Sequence, residues 1–265
     1  MKLPAVLTIA GSDSSGGAGI QADLKTMLAH GVYGMSALTA LTAQNTQGVT
    51  AVQEASPDFL AAQLDAVFTD IPPDAVKVGM VSAAPLIAVI AEKLRAYGAQ
   101  NVVVDPVMVA TSGARLIADD AVQALECDLF PLATLLTPNM AELAALTGER
   151  VTDAASMERA ARMLYAACGT SVLAKGGHLK DSADDLLLTA DGAHWLQGER
   201  VENPNTHGTG CTLSSAIASN LAKGHALLEA VQLAKRYLTG ALQAGLNLGH
   251  GSGPLHHGYA LSGTF

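Results

Sequence analysis

The chain has 265 residues, enough for one large α/β domain or two small ones, and 49% of them are hydrophobic, so a substantial core can form and disorder is excluded. Its formal net charge of -9, with no cluster of Lys or Arg, excludes a protein that holds nucleic acid through a broad basic face. An anionic substrate would depend on backbone amides, one or two lysines and a divalent metal.

The elements alternate along the chain. The first apolar run contains Pro4, is short for a leader peptide, and reads as a strand over Ala5 to Ala10. A Gly/Ser loop, Gly11 to Gly17, leads to a helix over Gly19 to His30, then strands over Met35 to Ala43 and Val49 to Ala55. A helix over Pro57 to Asp70, a strand over Ala75 to Val78, a helix over Pro85 to Tyr97 and a strand over Val102 to Val104 continue the rhythm. Next come a helix over Asp119 to Leu129, a strand over Thr134 to Leu136, helices over Asn139 to Leu146 and Asp153 to Ala167, and a strand over Ser171 to Ala174. Asp191-Gly192 turns a hairpin between Leu186 to Thr189 and Ala193 to Leu196. Helices over Thr209 to Lys223 and Ala226 to Leu246, parted by Gly224, close the chain. The continuous apolar strands are those of a parallel sheet buried on both faces, and no linker or charge block divides residues 1–265, so one three-layer α/β/α domain is expected.

Three widely spaced cysteines, Cys127, Cys168 and Cys211, form no C-x-x-C pair, which speaks for a reducing cytoplasm and against a disulfide framework or a zinc site. No segment approaches the roughly 20 apolar residues that cross a bilayer, so no membrane association is expected.

In a sheet of this kind ligands lie beyond the carboxyl ends of the strands. The polar and glycine residues gather there: Gly11 to Gly19, Gln44, Gly79-Met80, Asp105, Asn139 and Lys175-Gly176-Gly177. Gly17 to Ala22 matches G-x-G-x-x-A, but six residues separate Ala10 from Gly17 and no acid stands near positions 37 to 42 to hold a ribose, so a dinucleotide fold is not indicated. A P-loop is absent too. The loop Gly11 to Gly17 either wraps a small polar ligand or is a solvated turn. Asn203 to Leu213 is a glycine-broken turn that runs directly into a helix. Gly208 and Gly210 permit close backbone approach, and first-turn N–H groups attract anions. The alternative is an ordinary capped helix. Cys211 falls where the helix end lowers a thiol pKa, so it reads as a thiolate, a proton acceptor or a snug neighbour.

Asn139 and Glu142 have the spacing of a capping box, and Glu142 with Asp105 equally makes a magnesium environment of two carboxylates. Lys175 leaves an apolar strand into two glycines that let a phosphate approach. The amide of Gln44 donates and accepts side by side, as an amino-substituted heterocycle requires. His207 reads as a loop hydrogen bonder. The remaining histidines show no metal-ligand spacing.

Taken in order, Thr8 to Lys25, Thr42 to Thr46, Lys77-Val78-Gly79-Met80, Val104 to Met108, Thr137 to Glu142, Ala174-Lys175-Gly176-Gly177-His178 and Asn205 to Thr212 resemble the hydroxymethylpyrimidine kinase / phosphomethylpyrimidine kinase family of the ribokinase-like superfamily, over nearly the whole chain. The resemblance implies a ribokinase-like fold and a cytoplasmic homodimer. It implies phosphorylation of 4-amino-5-hydroxymethyl-2-methylpyrimidine and then of its monophosphate, with ATP and Mg²⁺, for thiamine diphosphate biosynthesis. By the same resemblance Gln44 and Asp23 bind the pyrimidine, in a pocket shaped by Gly11, Ala18, Met80 and Val107. Asp105, Asn139 and Glu142 fall on the magnesium and phosphate side, and Lys175 and Thr209 on the ATP phosphates. Gly208, Thr209, Gly210 and Cys211 form the anion hole. Many sugar kinases of the superfamily end that motif in Asp, which serves as base; here the position is Cys211. A pyridoxine or pyridoxal kinase is the nearest alternative, and a non-catalytic pyrimidine sensor the alternative of another class.

Overall fold

Strands that are apolar at every position must be covered on both sides, and the centre of this protein is built from them. The structure, a computed structural model, describes residues 3–108, 117, 119–177, 179 and 182–261. His178 of the lysine-glycine motif lies outside the described residues. One nine-stranded sheet has the order β3-β2-β1-β4-β5-β6-β7-β8-β9. Its strands are β1 (Ala5–Asp13), β2 (Tyr33–Asn45), β3 (Gly48–Glu54), β4 (Ala75–Val78), β5 (Val102–Val104), β6 (Leu135–Leu136), β7 (Ser171–Ala174), β8 (Asp185–Thr189) and β9 (Gly192–Leu196). The pairs from β2 through β7 are parallel, whereas β3 and the β8–β9 hairpin add antiparallel edges.

Alternation along each strand feeds two separate cores. Leu7, Ile9, Val76, Val78, Val102, Val104, Leu136 and Val172 face one side. There they meet α2 (Pro57–Asp70), α3 (Ala84–Ala96), α4 (Asp119–Ala124), α5 (Met140–Thr147) and α6 (Ala154–Cys168). Val6, Ala75, Val103, Leu135 and Leu173 face the other, against α1 (Gly19–Ala29), α7 (Thr209–Ala222) and α8 (Leu227–Gln243). The expected three-layer α/β/α arrangement is therefore the one formed.

Three departures from the expected elements have identifiable causes. The first strand runs on to Asp13 through a bulge between Ala10 and Ser12, because Ser12 and Asp13 pair with Leu41 and Thr42 of the equally prolonged β2. Three of the seven residues of the expected loop, Gly11 to Asp13, are thus strand. The helix expected over Asp119 to Leu129 stops being α-helical at Ala124, widens into a π-turn over Leu125–Leu129 and tightens into a 3₁₀ turn over Phe130–Leu132. Pro131 lacks an N–H and crowds the carbonyl four residues back, so a regular helix cannot pass through it. The strand expected from Thr134 begins at Leu135; Thr134 still donates its N–H to the Val102 carbonyl at 2.7 Å, while its side-chain oxygen accepts from the Val102 N–H at 3.2 Å.

Candidate active site

The carboxyl ends of β1, β2, β4, β5, β6 and β7 open toward the N-termini of α1 and α7. Gly208, at φ +85°, is the residue before α7. A methyl group there would lie 2.0 Å from the carbonyl oxygen of Gly17, so only glycine lets the α7 entry pack against the α1 entry. No side chain caps either helix: Ala18 and Gly208 occupy the cap positions. Of the other helices, α2, α5 and α6 are capped by Ser56, Asn139 and Asp153, while α3 and α8 also start without a side-chain cap. The first-turn amides of α1 and α7 are thus left for something other than their own side chains.

Directly before α7 stands an ion pair. Lys175 Nζ lies 2.8 Å from Asp105 Oδ1, which also accepts from Thr137 Oγ1 at 3.0 Å. Asp105 is only 2% exposed and the Lys175 side chain 15%. Burial alone would lower the lysine, but the charges of Asp105 and Glu142 outweigh it and raise it. At Gly210 a methyl group would be 3.1 Å from Asp105 Oδ2 and 3.4 Å from Lys175 Nζ. The glycine therefore brings helix backbone, cation and carboxylate into one small space.

Glu142 forms the expected capping box, its Oε2 accepting from Asn139 N–H at 2.7 Å while Asn139 Oδ1 accepts from Glu142 N–H at 2.9 Å. Parallel pairing of Asn139 with Lys175 ties this helix start to the lysine. Burial, reinforced by Asp105 and opposed by Lys175, pushes the Glu142 carboxyl up to about 7. An acid raised on folding holds its proton more tightly in the folded state. Stability is then greatest below the ordinary value of 4.5 and declines as pH rises toward 7. Glu142→Gln keeps an acceptor for Asn139 and removes the titration, so in metal-free protein it should raise stability at pH 8 by about 1 to 3 kcal/mol over wild type. Denaturant midpoints at pH 5 and pH 8 measure this; equal pH slopes in the two proteins would refute it.

Of the three sequence readings of Cys211, the thiolate is the one its surroundings oppose. Its thiol is pushed up to about 11, first by burial and then by the nearby Asp23 and Asp105 carboxylates, against the opposing charge of Lys77 and a bond from Gly19 N–H. Desolvation exceeds the helix-end effect that favours a thiolate, so at neutral pH the group is a neutral thiol. Asp23 is also displaced from its expected role. It is fully buried, its Oδ2 accepting from Thr8 Oγ1 at 2.6 Å and its Oδ1 from Ser215 Oγ at 2.6 Å, with Lys77 Nζ 2.9 Å away and equally buried. Side chains of β1, α7 and β4 have taken its lone pairs, which leaves it a structural anchor beneath α7 and not a group lining an open pocket.

Gln44 reaches the rim from the end of β2 and is half-buried. Gly11 and Met80 meet at the floor, where a methyl on Gly11 would be 2.6 Å from Met80 Cε. Val107 follows Asp105 and bonds back to its carbonyl at 2.8 Å. The N–H of Ala18 is taken by Asp13 Oδ2 at 2.9 Å. A cavity of about 320 Å³, lined by Ser15, Asn45, Thr46, Gln47, Leu248, Gly249, His250 and Pro254, opens beside Gln44 and away from Lys175. Among the described residues no three His, Cys, Asp or Glu side chains converge to hold a metal. Asp105 and Glu142 remain two carboxylates at adjacent strand ends.

Three residues escaped the sequence reading as members of this site. Lys77, Thr137 and Asp13 each stand within a motif of the resemblance, but none of them is given a role of its own there. Asp13 accepts from Gly17 N–H, Ala18 N–H and Ser15, and its Oδ2 lies 2.8 Å from His207 Nε2. Burial pushes Asp13 up, yet the bonds from His207, Ser15 and Ala18 more than reverse it and hold the carboxyl well below the usual range. The one available signal was the buried carboxylate's need for donors, which the neighbouring glycine amides satisfy.

Comparison with known proteins finds relatives along almost the whole chain. A family model described as phosphomethylpyrimidine kinase matches residues 13–256. The hydroxymethylpyrimidine/phosphomethylpyrimidine kinase of Rhizobium meliloti is 55% identical over 255 residues, covering 95% of this chain and 96% of that protein. The thiamine biosynthesis bifunctional protein ThiED of Geobacter sulfurreducens is 54% identical over 95% of this chain, which corresponds to 52% of that longer protein. Among solved structures, the ADP complex of Bacillus subtilis pyridoxal kinase superposes with a TM-score of 0.91 at 38% identity, covering 97% of this chain and 98% of that one.

Proposed function

The chain belongs to the phosphomethylpyrimidine kinase family, and we infer from that membership that it transfers phosphoryl groups from ATP to hydroxymethylpyrimidine and then to phosphomethylpyrimidine in thiamine biosynthesis. The observation that carries the mechanism is the convergence of the uncapped α7 N-terminus on the Lys175–Asp105 pair across Gly210. Phosphoryl transfer passes through a loose transition state with charge on the equatorial oxygens, so positioning and neutralisation supply most of the catalysis. The first-turn amides of Gly208 to Cys211 are the donors we assign to the transferring group, and Lys175, with Thr209, the contact to the ATP phosphates. The neutral thiol of Cys211 then serves as a close neighbour, and the backbone at that position as the donor.

Asp105 and Glu142, with Asn139 ordering the helix that carries Glu142, are the residues that would hold Mg²⁺. Two carboxylates suit an ion that keeps several waters and takes its other ligands from substrate phosphates, and it would neutralise charge on those phosphates. The ring would lie over Gly11 and Met80, near Val107 and Ala18, with Gln44 reading its edge. Asp23 we assign to the anchoring of α7.

Incubation of the protein with Mg-ATP and, separately, the pyrimidine alcohol, its monophosphate and pyridoxal tests the reading by product analysis. The diphosphate should form from both pyrimidines. Turnover of pyridoxal with neither pyrimidine phosphorylated would overturn it in favour of the pyridoxal kinase activity named for the 38% identical neighbour. Gln44→Ala should weaken pyrimidine binding by about 1 to 3 kcal/mol through hydrogen bonds lost in a desolvated pocket, and leave nucleotide binding unchanged. Calorimetry with each ligand separates these outcomes.

The assembly we propose is a homodimer in the cytoplasm. Support comes from the exposed Leu41 and Val52 on the edge hairpin β2–β3, and from Cys127, Cys168 and Cys211, which are free thiols. No helix among the described residues is long and apolar enough to cross a membrane. Sedimentation as a monomer at micromolar concentration would exclude the dimer.

A further inference from the structure

The direction in which Lys175 leaves its strand is set by the two peptide groups that flank it. The first is held within the sheet, where the Lys175 N–H bonds to the Pro138 carbonyl at 2.9 Å on the β6 side. The second is held by a side chain. Pairing of β7 with β8 ends at Ala174 opposite Leu186, so the ladder stops before the N–H of Gly176. Asp185, the first residue of β8, receives that N–H on its carboxylate, with Oδ1 2.8 Å from the Gly176 nitrogen in a buried contact. The approach needs a bare backbone: a methyl group on Gly176 would lie 1.8 Å from the Asp184 carbonyl oxygen. With both flanking peptides fixed, the two soft dihedrals of Lys175 are fixed, and so is the direction of its side chain.

Asp185 is in turn held from the helical layer. Lys235, in the middle of α8, places Nζ 2.5 Å from Asp185 Oδ2 and 3.0 Å from the Ala183 carbonyl oxygen. The side chains of the pair are only 15% and 10% exposed. Gly198 admits the lysine, since a methyl group there would lie 2.8 Å from Lys235 Nζ and 2.0 Å from the Ala183 carbonyl oxygen. The Gly198 N–H bonds to Asp184 Oδ1 at 2.8 Å and holds the same stretch of chain. One ammonium thus fixes one carboxylate oxygen, and the other oxygen fixes the peptide that follows Lys175.

An ion pair this buried adds little net stability over an apolar filling of the same space. What it supplies is an acceptor at a fixed place. Gly176 and Gly177 have no stiffness of their own, and without that acceptor the turn after Lys175 is free to rotate.

We propose that Asp185, held by Lys235, is a positioning residue for phosphoryl transfer: it fixes the peptide between Lys175 and Gly176 and so aims the Lys175 ammonium at the ATP phosphates. This rests on the assignment of Lys175 to those phosphates. Asp185→Ala should raise the KM for ATP and lower kcat, together about tenfold in kcat/KM, a fraction of the 10²-fold that a misplacement of roughly 1 Å can cost. The KM for the pyrimidine alcohol should stay within about twofold of wild type. A purely structural defect would instead reduce the folded fraction and leave both KM values unchanged. Lys235→Met, which keeps the carboxylate but removes its cation, should shift the same parameters in the same direction, and it keeps the test open if Asp185→Ala does not fold. Asp185→Asn combined with Lys235→Met should restore most of the loss, because the amide oxygen still accepts from Gly176 and needs no cation. In a Lys175→Met background Asp185→Ala should add less than about twofold, since the ammonium it aims is gone.

Lys175→Met without effect on the use of ATP would remove the assignment on which the proposal stands. A Lys175→Met defect accompanied by wild-type kcat/KM for ATP in Asp185→Ala and Lys235→Met, or by the same tenfold loss from Asp185→Ala in the Lys175→Met background, would overturn the proposal and leave that assignment intact.

Discussion

Lys175→Met should lower kcat by about 10³-fold, because the role we assign to the lysine is that of a preorganised cation directed at the site where charge develops, and loss of one such donor costs about 10² to 10³ on its own. A second effect adds to this. Lys175 is the cation that lets Asp105, 2.8 Å away, and Glu142 be ionised together; without it two buried carboxylates face each other and Glu142 takes up its proton at still higher pH. The pair that would hold magnesium is then weakened along with the phosphate contact. Single-turnover transfer from ATP, at saturating pyrimidine, measures the step. A kcat within about threefold of wild type would place the phosphates away from Lys175.

Gly210→Ala should separate stability from activity in the opposite direction. The residue is the second of α7, where alanine is the better helix former by about 0.5 to 1 kcal/mol, so the melting temperature should hold or rise. Activity should nevertheless fall about 10²-fold, the cost of displacing a reacting group by roughly 1 Å. The added methyl, 3.1 Å from Asp105 Oδ2 and 3.4 Å from Lys175 Nζ, stands in the space between helix end and ion pair. Gly208→Ala is no substitute for this test: its methyl would strike the Gly17 carbonyl at 2.0 Å and its φ of +85° resists a side chain, so folding and catalysis would fail together. Gly210→Ala that is both stable and fully active would refute the assignment of the α7 N-terminus to the transferring phosphoryl group.

Much of the architecture was legible before any coordinates. Runs such as Val102-Val103-Val104 can be satisfied only by cover on both faces, and the turn residues that part them set the alternation of strands and helices. The grouping of Gly11, Gln44, Asp105, Asn139 and Lys175 at strand ends followed from chain order alone, because a parallel sheet brings those ends to one edge. Gly208 was legible for an equally local reason, the backbone geometry at a helix entry. The β1 extension to Asp13 was not, because it depends on pairing with Leu41 and Thr42, some thirty residues away.

The chemistry of the site was decided at longer range. Whether Cys211 is a thiolate depends on the balance between a helix end, which its neighbours in sequence supply, and desolvation, which is supplied by every segment packed over it; the second is larger. Asp23 was read as a ligand contact from its place in a motif, but the adjacency of β4 to β1 puts Lys77 beside it, and Ser215 and Thr8 complete its hydrogen bonds. Asp13 and His207 are 194 residues apart, and nothing local to either announces the other. Local sequence thus determined the layers, the glycine-dependent turns and the edge at which ligands bind, since backbone conformation and apolar period act over a few residues. Partnership and protonation of the buried polar groups were left to the tertiary structure, because a carboxylate, a thiol or an amide takes its state from whichever donors, charges and apolar walls the fold brings within a few ångströms.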